Sequence, residues 1–194
     1  MKTDGKNYFK FFITLILCLL VRLVPFRAPN VEPIMAVLMP IGRAYGAFMG
    51  FSFAVLSILI YDFATHTIGM QTIFTVLAYG LIGLASAYYF TNRKGNTMDY
   101  VRFAIYGTLF FDALTGLTVG PIFFHQSFIG SLIGQIPFTV LHLLGNVVFA
   151  FVLSPGIYNF LIKKKPARNA FGIADAGGKK ESSSAINLLN PKII

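Results

Sequence analysis

An aspartate and a histidine stand four positions apart in the segment LIYDFATHTIG, residues 59–69, at the end of a long apolar run. Carboxylate and imidazole groups can hold a polar ligand or exchange protons with it. Both are costly in apolar surroundings, because an ionised side chain in the middle of a transmembrane helix costs about 2.5–3.5 kcal/mol on insertion scales. Asp62 and His66 are therefore candidates for a functional site. They share a face only if the helix continues as far as His66.

The segment has an echo further along the chain. LIYDFAT at 59–65 and LFFDALT at 109–115 both have Leu, two bulky apolar residues, Asp and a final Thr in register. Chance similarity is one explanation of so short a match. A parallel internal repeat is the other, and it would make Asp112 the counterpart of Asp62.

Two roles for these aspartates stay open. Each is expected near the C-terminal end of its helix, where the helix dipole disfavours a carboxylate. The carboxylates could accept local N–H groups beside the threonines that follow them. Alternatively, an arginine from the first predicted outer loop, or a bound ligand, could pair with them.

Composition limits the class of protein. Hydrophobic residues make up 56% of the 194 residues and charged residues only 12%, which is typical of an integral membrane protein. The net charge is +9, but the basic residues form short clusters between apolar runs, which indicates membrane topology and no nucleic-acid partner. The single cysteine, Cys18, cannot form an intrachain disulfide.

The apolar runs predict an all-α protein, since a bilayer core needs roughly 20 apolar residues per helix. Five runs are long enough, and EPIMAVLMPI at 32–41 would be a short second helix. The five predicted long helices cover residues 8–24, 43–62, 70–91, 100–119 and 128–162.

The basic clusters predict six crossings with the N- and C-termini in the cytoplasm, because basic residues near short loops tend to stay there. Arg22 and Arg27, in the first outer loop, are the exception. A cleaved signal peptide is an alternative for the first segment, although no convincing cleavage site follows it. The expected domains are a membrane-embedded region, residues 1–165, and a disordered cytoplasmic tail, residues 166–194.

This topology places most of the unusual polar residues on the outer side, where they predict a polar binding pocket. The candidate substrate-binding residues are Arg22, Arg27, Asn30, Glu32, Asp62, His66, Asp112, His125 and Gln126. Two His and two Asp could also bind a metal ion, but none of the tight spacings of metal motifs is present, so we expect no metal and no cofactor. Farther on, His142 and Asn146 are expected to make buried hydrogen bonds between helices.

Small residues recur every fourth position in the predicted third helix. Gly42, Gly46, Gly50 and Ala54 would form a smooth stripe on one face. Such stripes allow helix backbones to approach closely in lipid. The stripe predicts helix packing inside the bundle or docking of a partner subunit.

The chain resembles the substrate-binding S components of energy-coupling factor (ECF) vitamin transporters over about residues 8–162. The resemblance lies in the six-helix pattern with a short second helix, and in three stretches. These are RLVPFRAPNVEPIMA, the Gly-rich helix ending in Asp at residues 46–62 with the following AYGLIG at 78–83, and FFDALTGLTVGP at 110–121. The first helix lacks the Ala-x-x-x-Ala docking motif of many family members.

The resemblance implies a multi-pass plasma-membrane protein that captures a small water-soluble nutrient at its outer face. It also implies three partners, which are a transmembrane coupling subunit and two cytoplasmic ATPases. The sequence has no phosphate-binding GxxxxGK[ST] loop, so ATP hydrolysis is expected in those partners and the chain itself is not expected to be an enzyme. A membrane enzyme using the outer Asp and His residues, or a membrane scaffold, is the alternative.

Overall fold

The structure of the protein, a computed structural model, describes residues 5–25 and 32–162. These residues form six helices and no strand. In chain order the helices are α1 (Gly5–Arg22), α2 (Ile34–Tyr45), α3 (Ala47–Ala64), α4 (Met70–Thr91), α5 (Thr97–Phe124) and α6 (Phe128–Ile162). The predicted all-α class is confirmed, whereas the predicted tail lies outside the described residues.

Four of the helices, α3 to α6, are long and apolar enough to cross a membrane. Their outward faces carry large apolar side chains, such as Phe48, Phe63 and Tyr88, which are more than 70% exposed. An apolar exterior of this kind suits contact with lipid. The described helices therefore indicate a membrane-embedded protein.

The short helix α2 is the centre of the bundle. Every residue from Ile34 to Gly42 is buried, and α2 contacts all five other helices. Burial along this whole stretch means that neighbouring helices, and not lipid, cover α2 on every side. The other helices therefore pack around α2.

A glycine separates α2 from α3. The sequence predicted one helix over 43–62, but α2 continues through Arg43 to Tyr45 and the chain then turns at Gly46, which has φ +95°. Residues with a Cβ rarely adopt this backbone conformation, and glycine adopts it readily. The predicted single stripe of small residues is thus wrong, since Gly42 lies on α2 and Gly50 on α3.

The small residues of α2 and α3 nevertheless serve close packing against α4. A Cβ built on Gly42 would meet the backbone nitrogen of Ala87 at 3.3 Å, and one built on Gly50 would meet the carbonyl oxygen of Gly83 at 2.5 Å. Ala54 is fully buried as well. These positions are occupied by contacts within the chain, so a partner subunit would have to dock on another face.

One end of the bundle collects basic side chains, and we call it the basic end. Arg43 donates from Nη1 to the carbonyl of Gly95 (3.0 Å) and to the Tyr100 hydroxyl (2.9 Å), and its guanidinium lies 3.7 Å from the Tyr158 ring centroid. Lys10 Nζ donates to the Leu161 carbonyl (2.7 Å). The start of α1, the end of α2, the α4–α5 loop and the end of α6 therefore meet there.

Replacing Arg43 by Lys should lower the free energy of unfolding by about 1–2 kcal/mol. Lysine keeps the charge but not the planar fork of the guanidinium. That fork donates to the carbonyls of Lys94 and Gly95 and to the Tyr100 hydroxyl while it stacks on the Tyr158 ring. Chemical denaturation in detergent micelles measures the change. Arg102→Lys is the control. Arg102 is 58% exposed and forms an ion pair of 3.6 Å with Asp99, which a lysine can also form. Equal losses in both variants would contradict the role of the fork.

Candidate functional site: a buried polar network

A buried arginine joins α1, α3 and the segment before α2 at the end of the bundle opposite the basic end. Arg22, the last residue of α1, is only 6% exposed. Its Nε donates to Glu32 Oε2 at 2.9 Å, and its Nη1 donates to the Ser57 carbonyl at 2.7 Å. The guanidinium also stacks over the Tyr61 ring at 3.8 Å. A cation is favoured at a helix C-terminus by the dipole, so this charge is well compensated within the protein.

Tyr79 of α4 links this ion pair to the centre of the bundle. The tyrosine is fully buried and donates its hydroxyl proton to Glu32 Oε1 at 3.1 Å. Its ring packs on Phe111 of α5, with 4.5 Å between the ring centroids. Glu32 therefore receives hydrogen bonds from both Arg22 and Tyr79, as a carboxylate in apolar surroundings requires.

Four polar residues on α5 and α6 form a second group, which we call the α5–α6 cluster. His142 Nδ1 lies 2.7 Å from Asp112 Oδ1, and Asn146 Nδ2 donates to Thr108 Oγ1 at 2.8 Å. All four side chains are buried. A spacing of four residues on each of two antiparallel helices brings the two pairs into register, one helical turn apart. The expected hydrogen bonding between helices by His142 and Asn146 is thereby confirmed.

Three atoms of the α5–α6 cluster are buried without a hydrogen-bond partner among the described residues. They are Asp112 Oδ2, His142 Nε2 and Asn146 Oδ1. Buried polar atoms are nearly always paired, and each unpaired one costs about 1–3 kcal/mol. Such a concentration of unsatisfied atoms around one carboxylate is typical of a binding site.

Aromatic rings connect the two groups of the network and orient the histidine. Phe111, which packs on Tyr79, also meets His142 edge to face at 5.3 Å, and Phe138 does so at 5.7 Å. The imidazole is thus fixed by two rings and one carboxylate. Together the Arg22–Glu32–Tyr79 group and the α5–α6 cluster form one continuous buried network across α1, α3, α4, α5 and α6.

An open cavity of about 540 Å³ is formed by the end of α5, the loop after it and the start of α6. In sequence, its lining residues fall between Asp112 and His142 of the α5–α6 cluster. Its lining contains amides, hydroxyls and glycines and no charged side chain. The lining residues are Gly116, Gln126, Ser127, Gly130, Ser131, Gly134 and Gln135. Gln135 Nε2 is a further buried atom without a partner in the described part of the chain. This cavity is large enough for a small polar molecule.

No family model, curated protein or solved structure matches this chain. A function for it therefore rests on the buried network and on the sequence resemblance.

Asp62 lies apart from the network and has a local partner. Its Oδ2 accepts a hydrogen bond from Thr72 Oγ1 at 2.6 Å, which connects the end of α3 to the start of α4. Asp112 is in a different position, because α5 continues well beyond it to Phe124. The prediction that both aspartates stand near helix ends thus holds for Asp62 and is wrong for Asp112.

The other predicted contact residues divide into those in the network and those outside it. Arg22, Glu32 and Asp112 belong to the network. His66 and His125 are exposed residues in left-handed backbone conformation, with φ of 56° and 53°. Since α3 ends at Ala64, His66 does not continue the helical face of Asp62.

Gln126 lines the open cavity, and its Oε1 accepts a hydrogen bond from Ser131 Oγ at 3.2 Å. The last two predicted contacts, Arg27 and Asn30, fall outside the described residues.

Tyr79 and the partners of Asp112 were absent from the predicted site. A signal for the partners does exist, because Thr108 and Asp112 repeat the four-residue spacing of His142 and Asn146 on the next helix. Two polar pairs with the same spacing on consecutive apolar helices predict that the two pairs face each other across the helix contact. Tyr79 has no comparable signal, since tyrosine in an apolar helix is common at positions without function.

Proposed function

We propose that the chain is the substrate-capture subunit of an ECF-type importer, which binds a small water-soluble nutrient at the outer face of the plasma membrane. The observation that carries this proposal is the buried polar network, with three unpartnered atoms around Asp112 and His142 inside an otherwise apolar bundle. Polar groups in a membrane interior are costly, and they usually mark a path or site for a ligand.

The proposed orientation follows from the two ends of the bundle. Arg43, Lys94 and Lys10 lie at the basic end, which we place in the cytoplasm by the positive-inside rule. Six crossings with both termini inside then place the Arg22–Glu32–Tyr79 group near the outer surface. A nutrient would reach the network from outside, which is the direction that import requires.

The proposed partners are those that the resemblance implies, a transmembrane coupling subunit and two cytoplasmic ATPases. The sequence offers no phosphate-binding loop of its own, so the energy for release would come from them. No specific feature of the described residues favours the membrane enzyme or the scaffold.

The test of this proposal is co-isolation. We expect the full-length protein, purified gently from its native membrane, to retain a small molecule detectable by native mass spectrometry, and to co-purify with a pair of ATPases. The scaffold alternative expects neither. A protein isolated repeatedly without a small molecule and without ATPases would refute the capture role.

A further inference from the structure

We infer that the α5–α6 cluster selects an organic cation, namely a ligand with an ammonium or amidinium group close to a flat ring. The inference rests on the proposed capture function and adds the class of substrate. It is carried by three features of the network: the internal use of its arginine, the excess of acceptor atoms around Asp112, and the rings beside His142.

The arginine of the network is already used within the protein. Arg22 is occupied by Glu32, by the Ser57 carbonyl and by the Tyr61 ring. An anion that took Arg22 would have to displace the Glu32 carboxylate from the buried guanidinium, which is costly.

The unpartnered atoms of the α5–α6 cluster are mainly acceptors. Asp112 Oδ2 is a carboxylate oxygen and Asn146 Oδ1 an amide oxygen, so both are acceptors. The amide nitrogen of Asn146 donates to Thr108. The third unpartnered atom, His142 Nε2, lies on the ring whose Nδ1 is 2.7 Å from Asp112 Oδ1. Two unpartnered acceptor oxygens, one of them on a carboxylate, favour a ligand with N–H donors and a positive charge.

The rings beside the cluster favour an organic cation over a bare metal ion. Phe111 and Phe138 both meet the imidazole of His142, and Tyr79 extends the aromatic surface from Phe111. Aromatic faces attract organic cations and stack on flat rings, whereas hard ions such as Mg²⁺ and Ca²⁺ prefer a shell of oxygen ligands. The described residues also contain no group of three or more His, Cys, Asp or Glu side chains that could hold a metal ion. The wall therefore complements a ring that carries the charged nitrogen.

The test uses the full-length protein in detergent micelles and a small-molecule extract of its source cells. Ion exchange divides the extract into cationic, neutral and anionic fractions, and each is added to the ligand-free protein. We expect the cationic fraction to raise the midpoint of thermal unfolding by roughly 5 °C or more. The neutral fraction, the anionic fraction and sodium chloride alone should leave it unchanged.

Asp112→Asn should abolish the shift caused by the cationic fraction, because it removes the charge and keeps the shape. Asp99→Asn is the matched control on the same helix, where Asp99 caps the start of α5 at the basic end and accepts from the Gly95 and Asn96 amides. This control should keep the full shift. Each shift is measured from the ligand-free midpoint of the same variant. If Asp112→Asn fails to fold, Asn146→Leu takes its place. We then expect the cationic fraction to shift the midpoint of thermal unfolding at least tenfold less than in the parent protein.

The possible results separate the inference from the function on which it rests. A shift produced only by the neutral or anionic fraction, or by sodium chloride, would overturn the cation class and leave the capture role standing. A cationic shift that survives Asp112→Asn would overturn the assignment to this cluster. No shift from any fraction would overturn both the cation class and the capture role.

Discussion

Arg22→Met should lower the free energy of unfolding by about 3–5 kcal/mol, which is the cost of breaking a buried ion pair by removing one partner. The substitution removes the ion pair between Arg22 and Glu32 and the hydrogen bond that Arg22 donates to the Ser57 carbonyl. It also removes the cation that stacks on Tyr61. Since α1 is joined to α3 through these contacts, we expect α1 to separate from the bundle first. Denaturation in detergent micelles, monitored by circular dichroism, measures the loss.

Two further variants give this result its meaning. Arg102→Met removes an arginine that is 58% exposed and should change the free energy of unfolding by less than about 0.5 kcal/mol. Arg22→Met combined with Glu32→Gln should recover part of the loss, because the buried carboxylate charge that faced Arg22 is then removed as well. An Arg22→Met protein as stable as the Arg102→Met protein would show that the buried pair contributes nothing.

The sequence alone predicts the long helices well, and the reason is local. Both α4 and α6 begin and end at the predicted residues, because their apolar runs are bounded by polar or glycine-containing segments. The helix break at Gly46 and the continuation of α5 through Pro121 to Phe124 were not predicted. Both depend on backbone choices that packing decides, since glycine and proline are compatible with more than one local structure in a membrane helix.

The membership of the candidate site was predictable only in part. Membrane topology assigns polar residues to one end of a bundle, and Arg22, Glu32 and Asp112 do belong to one buried network. It gives neither the depth of a residue nor the rotation of its helix, and for that reason the predicted site included exposed His66 and left out buried His142, the partner of Asp112. The matching of polar pairs between consecutive helices supplies part of the rotation, as Thr108 and Asn146 show.

Gly83→Ala should lower the free energy of unfolding by about 3 kcal/mol, the upper end of the range for overpacked sites. Gly83 on α4 faces Gly50 on α3, and an added Cβ would collide with the Gly50 carbonyl group and lie 3.0 Å from the backbone nitrogen of Phe51. Backbone atoms cannot rotate away as a flexible side chain can, so the two helices would have to move apart. The closely packed contact of α3 with α4 would be lost along its length.

Gly134→Ala on α6 is the matched control, because nothing lies within 4 Å of a Cβ built there. This variant should be more stable than the parent by about 0.4–1 kcal/mol, since alanine restricts the unfolded chain and favours the helix. The same chemical change is therefore expected to have opposite signs at two helical glycines. If both substitutions stabilise the protein, the close approach of α3 and α4 at Gly50 and Gly83 is refuted. If both destabilise it to the same extent, the loss reflects glycine replacement in general and not this contact.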